Sequence, residues 1–193
     1  MLAALFLFAG MTLADPALVV ASADLVPAHV ATSGAPVTFV NVNTHETESV
    51  VLPDDGVVDA DTEARITHLF RCRRTGKERK PDQGLLQMLA RLAHRYPGRV
   101  FEVVSAHRAA PASVRTSQHY SGHAIDLRID GISLVELRTV AWQMHDMPRG
   151  VGHYHERGFI HIDHRPGKPT IGWDQRRKGQ GYQYNPRWAI LTN

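Results

Sequence analysis

The sequence is poor in sulfur and in long apolar runs. A single cysteine, Cys72, excludes a disulfide scaffold, a thiolate zinc cluster and an iron–sulfur site within one chain. No apolar run reaches the roughly 18 residues a spanning helix needs, so a polytopic membrane protein is excluded and stable membrane insertion is not expected. Glycine (15 residues) and proline (11 residues) follow no period, and collagen-like and low-complexity readings fail with them. No Lys or Arg precedes Arg65, so the N-terminus lacks a basic stretch.

What remains is an ordinary globular composition. The chain has 193 residues, 43% hydrophobic and 21% charged, which fits one domain and is far from a disordered profile. The net charge is only +3, but it is unevenly spread. Residues 43–63 hold seven acidic residues and no basic one, whereas residues 71–80 hold six basic residues against Glu78. From Arg165 onward there are six basic residues against Asp174. Such stretches read first as solvated helix ends and a loose tail. Polyanionic cell-wall polymers are a second possible partner for them, and nucleic acid, for which no motif is present, is not expected. Of twelve histidines, eight lie between His107 and His164, which directs attention there for a metal site or acid–base chemistry.

Residues 1–14 form an apolar run stopped by Asp15-Pro16, too short to span a membrane and suited to the core of a secretory signal. Ala21-Ser22-Ala23 supplies a small-x-small cleavage site. Residues 1–23 are therefore expected to be a signal peptide, with the mature protein in the periplasm or cell envelope.

Hydrophobic periodicity places the elements. Val37 to Asn43 alternates as a strand and Glu48 to Leu52 reads as its partner. Asp59 to Arg74 has helical spacing, with Asp61 or Thr62 as N-cap. Asp82 to Tyr96 is a clearer amphipathic helix, stopped by Pro97-Gly98. Phe101 to Ser105 is a short strand, 106–123 a loop, and Ala124 to Ile129 a strand. Ser133-Leu-Val-Glu136 is a capping box opening a helix to about His145. Gly150 to Gly152 and Phe159 to Asp163 are two more strands, and residues 174–193 read as a polar basic tail. The order implies an α+β domain over residues 37–173, a small mixed or antiparallel sheet with helices packed on one side. A monomer is expected.

Two segments carry chemistry: Ser117-Gln-His119-Tyr-Ser-Gly122-His-Ala-Ile-Asp126 and Phe159-Ile-His161-Ile-Asp163. Residues two apart on a strand share a face, so His161 and Asp163 point the same way. Asp126 sits in an apolar strand, where an unpaired carboxylate is costly to desolvate and calls for a cation or hydrogen bonds. Gly122 permits a bend returning His119 toward Asp126. Two imidazoles and a carboxylate around Zn²⁺ leave one position for water, the pattern of a catalytic zinc site. Each residue alone is weak, since a lone strand histidine is more often an ordinary core or surface residue; the combination is what carries the reading.

Ser-x-His-x-x-Gly-x-Ala-x-Asp followed by a His-x-Asp strand resembles the signature of the zinc D-alanyl-D-alanine peptidases and murein endopeptidases, which share the hedgehog/DD-peptidase fold. The resemblance runs from about Val37 to Trp173 and takes in Asn43-Thr-His-Glu-Thr, Arg74-Thr-Gly, Ser105-Ala-His-Arg108 and Gly150-Val-Gly-His-Tyr154. It implies His119, Asp126 and His161 as ligands of one Zn²⁺, with Asp163 beside the metal. It implies Arg108 as the residue that holds a substrate carboxylate or carbonyl. Asp163 and Glu156 are both candidates for general base, Asp163 preferred for its strand spacing. His107 stands where the family usually has tyrosine. The implied activity is hydrolysis of peptidoglycan stem-peptide cross-links, diaminopimelate–diaminopimelate first and D-alanine–diaminopimelate second. A non-catalytic zinc-containing cell-wall binding module is the alternative.

Overall fold

The computed structural model describes residues 33–109 and 116–190, all within the unit Thr32–Asn193; the expected signal peptide lies outside the described residues. The chain opens on a hairpin, β1 (Gly34–Asn41) and β2 (Thr47–Pro53). Helix α1 (Ala60–Leu69) follows, capped by Asp59, whose side chain accepts from the Thr62 N–H. The expected caps, Asp61 and Thr62, lie inside the helix. It ends five residues before the expected Arg74, because the Cys72 carbonyl accepts from the N–H groups of Thr75 and Gly76, closing a tight turn. Helix α2 (Gln83–Arg95) is capped by Asp82 and buries Leu85, Leu86, Leu89, Leu92 and Ala93, the face given by its periodicity.

Strand β3 (Val100–Ser105), the single-turn α3 (Gln118–Ser121) and β4 (Ala124–Ile129) come next. Ser133 caps α4 (Leu134–Trp142) by accepting from Glu136 N–H. The chain then runs through β5 (Arg149–Tyr154), β6 (Phe159–His164), β7 (Ile171–Gln175), β8 (Gln183–Tyr184) and α5 (Arg187–Ile190). The expected polar tail therefore contains a strand and a helical turn. Its anchors are Ala189, which is buried, and Trp188, which packs edge-on against Trp142.

All eight strands form one mixed sheet in the order β2-β1-β3-β4-β6-β5-β7-β8, parallel at β1/β3 and β5/β7 and antiparallel elsewhere. The fold is α+β. Helices α2 and α4 pack on the sheet around Ile125, Leu127, Val151, Ile160 and Ile162, which form one core with the apolar face of α2. Side chains alternate along a strand, so Asp126, His161 and Asp163 project from the opposite face of the sheet. β4 and β6 pair Asp126 with His161, so the central strands themselves bring the two together.

Candidate metal centre and its cleft

Ser117 caps α3, and Gly122 ends it at φ 81°, a left-handed position that glycine takes without strain. This turn drops His119 over the sheet, where it is buried beside Asp126 and His161. His119 Nε2 lies 3.1 Å from His161 Nδ1 and 3.2 Å from Asp126 Oδ1, and His161 Nδ1 lies 2.9 Å from that same oxygen. The three donor atoms thus form a nearly equilateral triangle.

The other side of each ring fixes what faces the triangle. His119 Nδ1 is 2.6 Å from the Ala106 carbonyl oxygen, which can only accept, so Nδ1 carries the proton and Nε2 is a lone pair. His161 Nε2 is 2.9 Å from Asp163 Oδ2 and Nδ1 is 2.9 Å from Asp126 Oδ1, so Nε2–H can stay on Asp163 while Nδ1 gives up its proton and offers a lone pair to a metal ion. With that proton gone, two nitrogen lone pairs and a carboxylate oxygen converge on one point. That arrangement calls for a positive charge among the three, either the His161 proton or a metal ion that replaces it. Ligand distances of about 2.0–2.1 Å imply tetrahedral edges of roughly 3.3–3.4 Å, close to the separations found, and the residues fit a zinc ion.

The local electrostatics point the same way. Burial would raise the Asp126 carboxyl, but the imidazoles of His119 and His161 and the Arg108 guanidinium hold it far below the usual range. Burial lowers His119. Burial would also lower His161, but its hydrogen bonds to Asp126 and Asp163 outweigh this and push it up to about 9. The triangle attracts a proton for the same reason it would attract a metal ion.

Arg108 does more than face outward. Its Nη2 donates to Asp126 Oδ2 and its Nε to Ser105 Oγ (2.9 Å). It therefore clamps the carboxylate that completes the triangle while lining the cleft. His107 turns inward, its Nδ1 3.1 Å from the His119 carbonyl oxygen, and so supports the turn that carries His119. Asp163 shares the site face, as the strand spacing requires, but it touches the Nε2 side of His161, with the ring between its carboxylate and the triangle. Glu156 is not brought to the site. It is exposed in the β5–β6 turn and accepts from Lys178 N–H at 2.6 Å.

The triangle opens into a cleft of about 460 Å³ lined by Arg108, Tyr154, Asp163, Trp173 and Tyr182 among others. Trp173 lies 5.0 Å from the His161 ring and donates to Tyr154 Oη. The pattern Gly-x-Gly-x-Tyr on β5 signals this wall, because one face of the strand is stripped of side chains. A Cβ at Gly150 would stand 2.2 Å from Asp163 Oδ2, and one at Gly152 would stand 2.4 Å from the Trp173 ring.

A second group, His153, His155 and Asp174, also has its donor atoms close together. Here the positions are already taken. Arg138 Nη1 is 3.2 Å from His153 Nδ1, and Trp188 Nε1–H donates to Asp174 Oδ1 at 3.1 Å. A metal ion would have to share the space with a guanidinium.

A family model for peptidoglycan L,D-endopeptidase MepK matches residues 29–169, which include every residue of the triangle. The chain belongs to the MepK family. Among curated relatives, the MepK proteins of Escherichia coli K12 and of Shigella flexneri, each named peptidoglycan L,D-endopeptidase, are 31% identical over 116 residues, 54% of this chain and 63% of theirs. A probable MepK of Haemophilus influenzae is 29% identical over 114 residues, 53% of this chain and 60% of its own. The match thus spans less than two thirds of the length of these MepK relatives. No solved structure matches the chain.

Proposed function

We propose that this chain is an exported, zinc-dependent peptidoglycan endopeptidase that hydrolyses peptide cross-links between stem peptides. The diaminopimelate–diaminopimelate bond is the first choice of substrate and the D-alanine–diaminopimelate bond the second. The observation that carries the reading is the triangle of two imidazole nitrogens and one carboxylate oxygen, all buried, beside an open cleft. The printed names of the relatives, peptidoglycan L,D-endopeptidases, agree with it.

His119, Asp126 and His161 would hold the ion, which when bound supplies a water of pKa about 7 and polarises a carbonyl. Everything else is done by the chain. The Ala106 carbonyl and Asp163 fix the two imidazole tautomers, as partners of ligating histidines generally do. Arg108 keeps Nη1 free of hydrogen bonds among the described residues, and this nitrogen can meet a substrate carbonyl or carboxylate oxygen while Nη2 holds Asp126. Burial raises the Tyr154 phenol above its ordinary range, so it stays protonated and available as a donor in the cleft. The aromatic wall of Tyr154, Trp173 and Tyr182 narrows access of bulk water to the reacting bond. We assign Asp163 to positioning His161. It is also the only carboxylate lining the cleft among the described residues, and so the only carboxylate there that could pass a proton.

Digestion of purified sacculi followed by mass spectrometry of the muropeptides tests this reading. Cross-linked dimers should give way to monomers with the protein, and persist when a chelator is present. Unchanged dimers with zinc-loaded protein would exclude the peptidase and favour the binding module.

A further inference from the structure

A second cavity, of about 290 Å³, adjoins the cleft just described: Arg108 lines both, and Asp126 of the triangle lines the second. Its wall holds five arginines: Arg71, Arg73, Arg74, Arg108 and Arg157. Asp126, already bound by Arg108, is the single carboxylate lining it among the described residues.

Arg71, Arg73 and Arg74 come from the turn after α1, Arg108 from the segment after β3 and Arg157 from the β5–β6 turn, and several are held in place rather than splayed in water. Glu46 grips Arg71 through two hydrogen bonds of 2.8 Å, and Arg71 Nη1 also donates to the His68 carbonyl. Asn43 Oδ1 accepts from Arg73 Nη1 at 2.8 Å, while its own amide donates to the Val104 carbonyl and its backbone N–H to Asn41 Oδ1. The Asn43-Thr-His-Glu46 turn between β1 and β2, which the metal centre leaves unexplained, is thereby a bracket for two arginines. Arg157 lies over the rings of Tyr154 and Phe159, at 5.6 and 5.0 Å. Among the described residues Arg73, Arg74 and Arg157 have no carboxylate partner. Like charges gathered around one concavity are unfavourable by themselves and complementary to an anion.

We infer that this cavity is a subsite for a free carboxylate of the peptide substrate, on one side of the bond whose other side lies along the aromatic cleft. The inference rests on the peptidase reading and adds to it the means of choosing substrate. A volume near 290 Å³ is at the small end for ligand pockets, about 300–1,000 Å³, and so takes one acidic residue rather than a polymer. Guanidinium groups match a carboxylate with paired donors, which an amide in the same place cannot accept equally well.

The test compares two tripeptides that end in diaminopimelate, one with its carboxylates free and one with them amidated. Binding to zinc-loaded protein is measured by calorimetry, and turnover is measured on cross-linked peptides of the same two forms. The free acid should bind about tenfold or more tightly than the amide, as expected for charge-assisted hydrogen bonds. The exposed pair Arg73→Ala with Arg74→Ala, and separately Arg157→Ala, should remove most of that preference, raise KM for the acid and leave zinc content unchanged. Arg73→Lys should restore only part of it. Equal binding of acid and amide by the wild-type protein, or variants that keep the full preference, would overturn the subsite. Hydrolysis without preference leaves the peptidase standing and rejects the subsite. Preferential binding without hydrolysis does the reverse.

Discussion

His161 illustrates how tightly single atoms are specified here. One nitrogen donates to Asp163 and the other joins the triangle with His119 and Asp126. Replacing His119, Asp126 or His161 by Ala removes one of three donors, and each variant should lose the single zinc on metal analysis; full occupancy in all three would refute the assignment. Asp163→Asn leaves the triangle complete but frees the His161 ring. Its zinc affinity should fall about 10–100-fold, with turnover recovering at high zinc, whereas Glu156→Gln should change little. Abolished turnover at full zinc occupancy would instead give Asp163 the proton-transfer role. The strand period put Asp163 and His161 on one face, but it does not say which ring nitrogen meets which partner. That depends on how the ring turns between Asp126 and Asp163, which no spacing encodes.

The pH dependence follows from the same atoms. In the metal-free protein His161 is raised from 6.5 to about 9, so the stability its proton contributes is complete below about pH 6.5 and is lost as pH rises through about 9. Zinc must displace that proton. Its apparent affinity should rise about tenfold per pH unit between those limits and level off above them, by competition against a chromophoric chelator. A flat profile would contradict the electrostatics described.

At the scale of elements, the central strands were legible and the edges were not. β4 and β6 alternate strongly, with Ile125, Leu127, Ile160 and Ile162 in the core, and that alternation alone turns Asp126 and His161 to the other face. By contrast β8 is two exposed residues and α5 one turn, too short for any period, and they read as tail. The spacing favours Asp61 or Thr62 as the N-cap of α1, but Asp59 takes the role, because its carboxylate reaches the Thr62 N–H. Glycine on β5 has a measurable consequence. Gly150→Ala places a methyl group against Asp163 Oδ2. We expect a loss of about 1–3 kcal/mol in stability, typical of overpacking, with lowered zinc affinity and unchanged far-UV circular dichroism. Normal zinc affinity would show that Asp163 is free to move.

At the scale of the whole molecule, charge blocks far apart in character prove adjacent in space. Acidic residues of 43–63 pair with basic residues that follow: Glu46 with Arg71, Glu48 with Arg65, Glu63 with Lys80. The basic segment is thus partly neutralised at its base and presents its remaining arginines to the cavity beside Arg108. Among the described residues no helix is long and apolar enough to cross a membrane. Export remains our proposal, and N-terminal sequencing of the mature protein should find a start near Asp24; an intact Met1 on cytosolic protein would contradict it. The claim on which the rest depends is that one zinc sits among two imidazoles and a carboxylate. Zinc K-edge X-ray absorption of the purified protein tests it most directly. The account predicts one zinc per chain, bound only by nitrogen and oxygen at about 2.0–2.2 Å with an imidazole signature. A sulfur scatterer at about 2.3 Å, or a spectrum unchanged in Asp126→Ala, would contradict it.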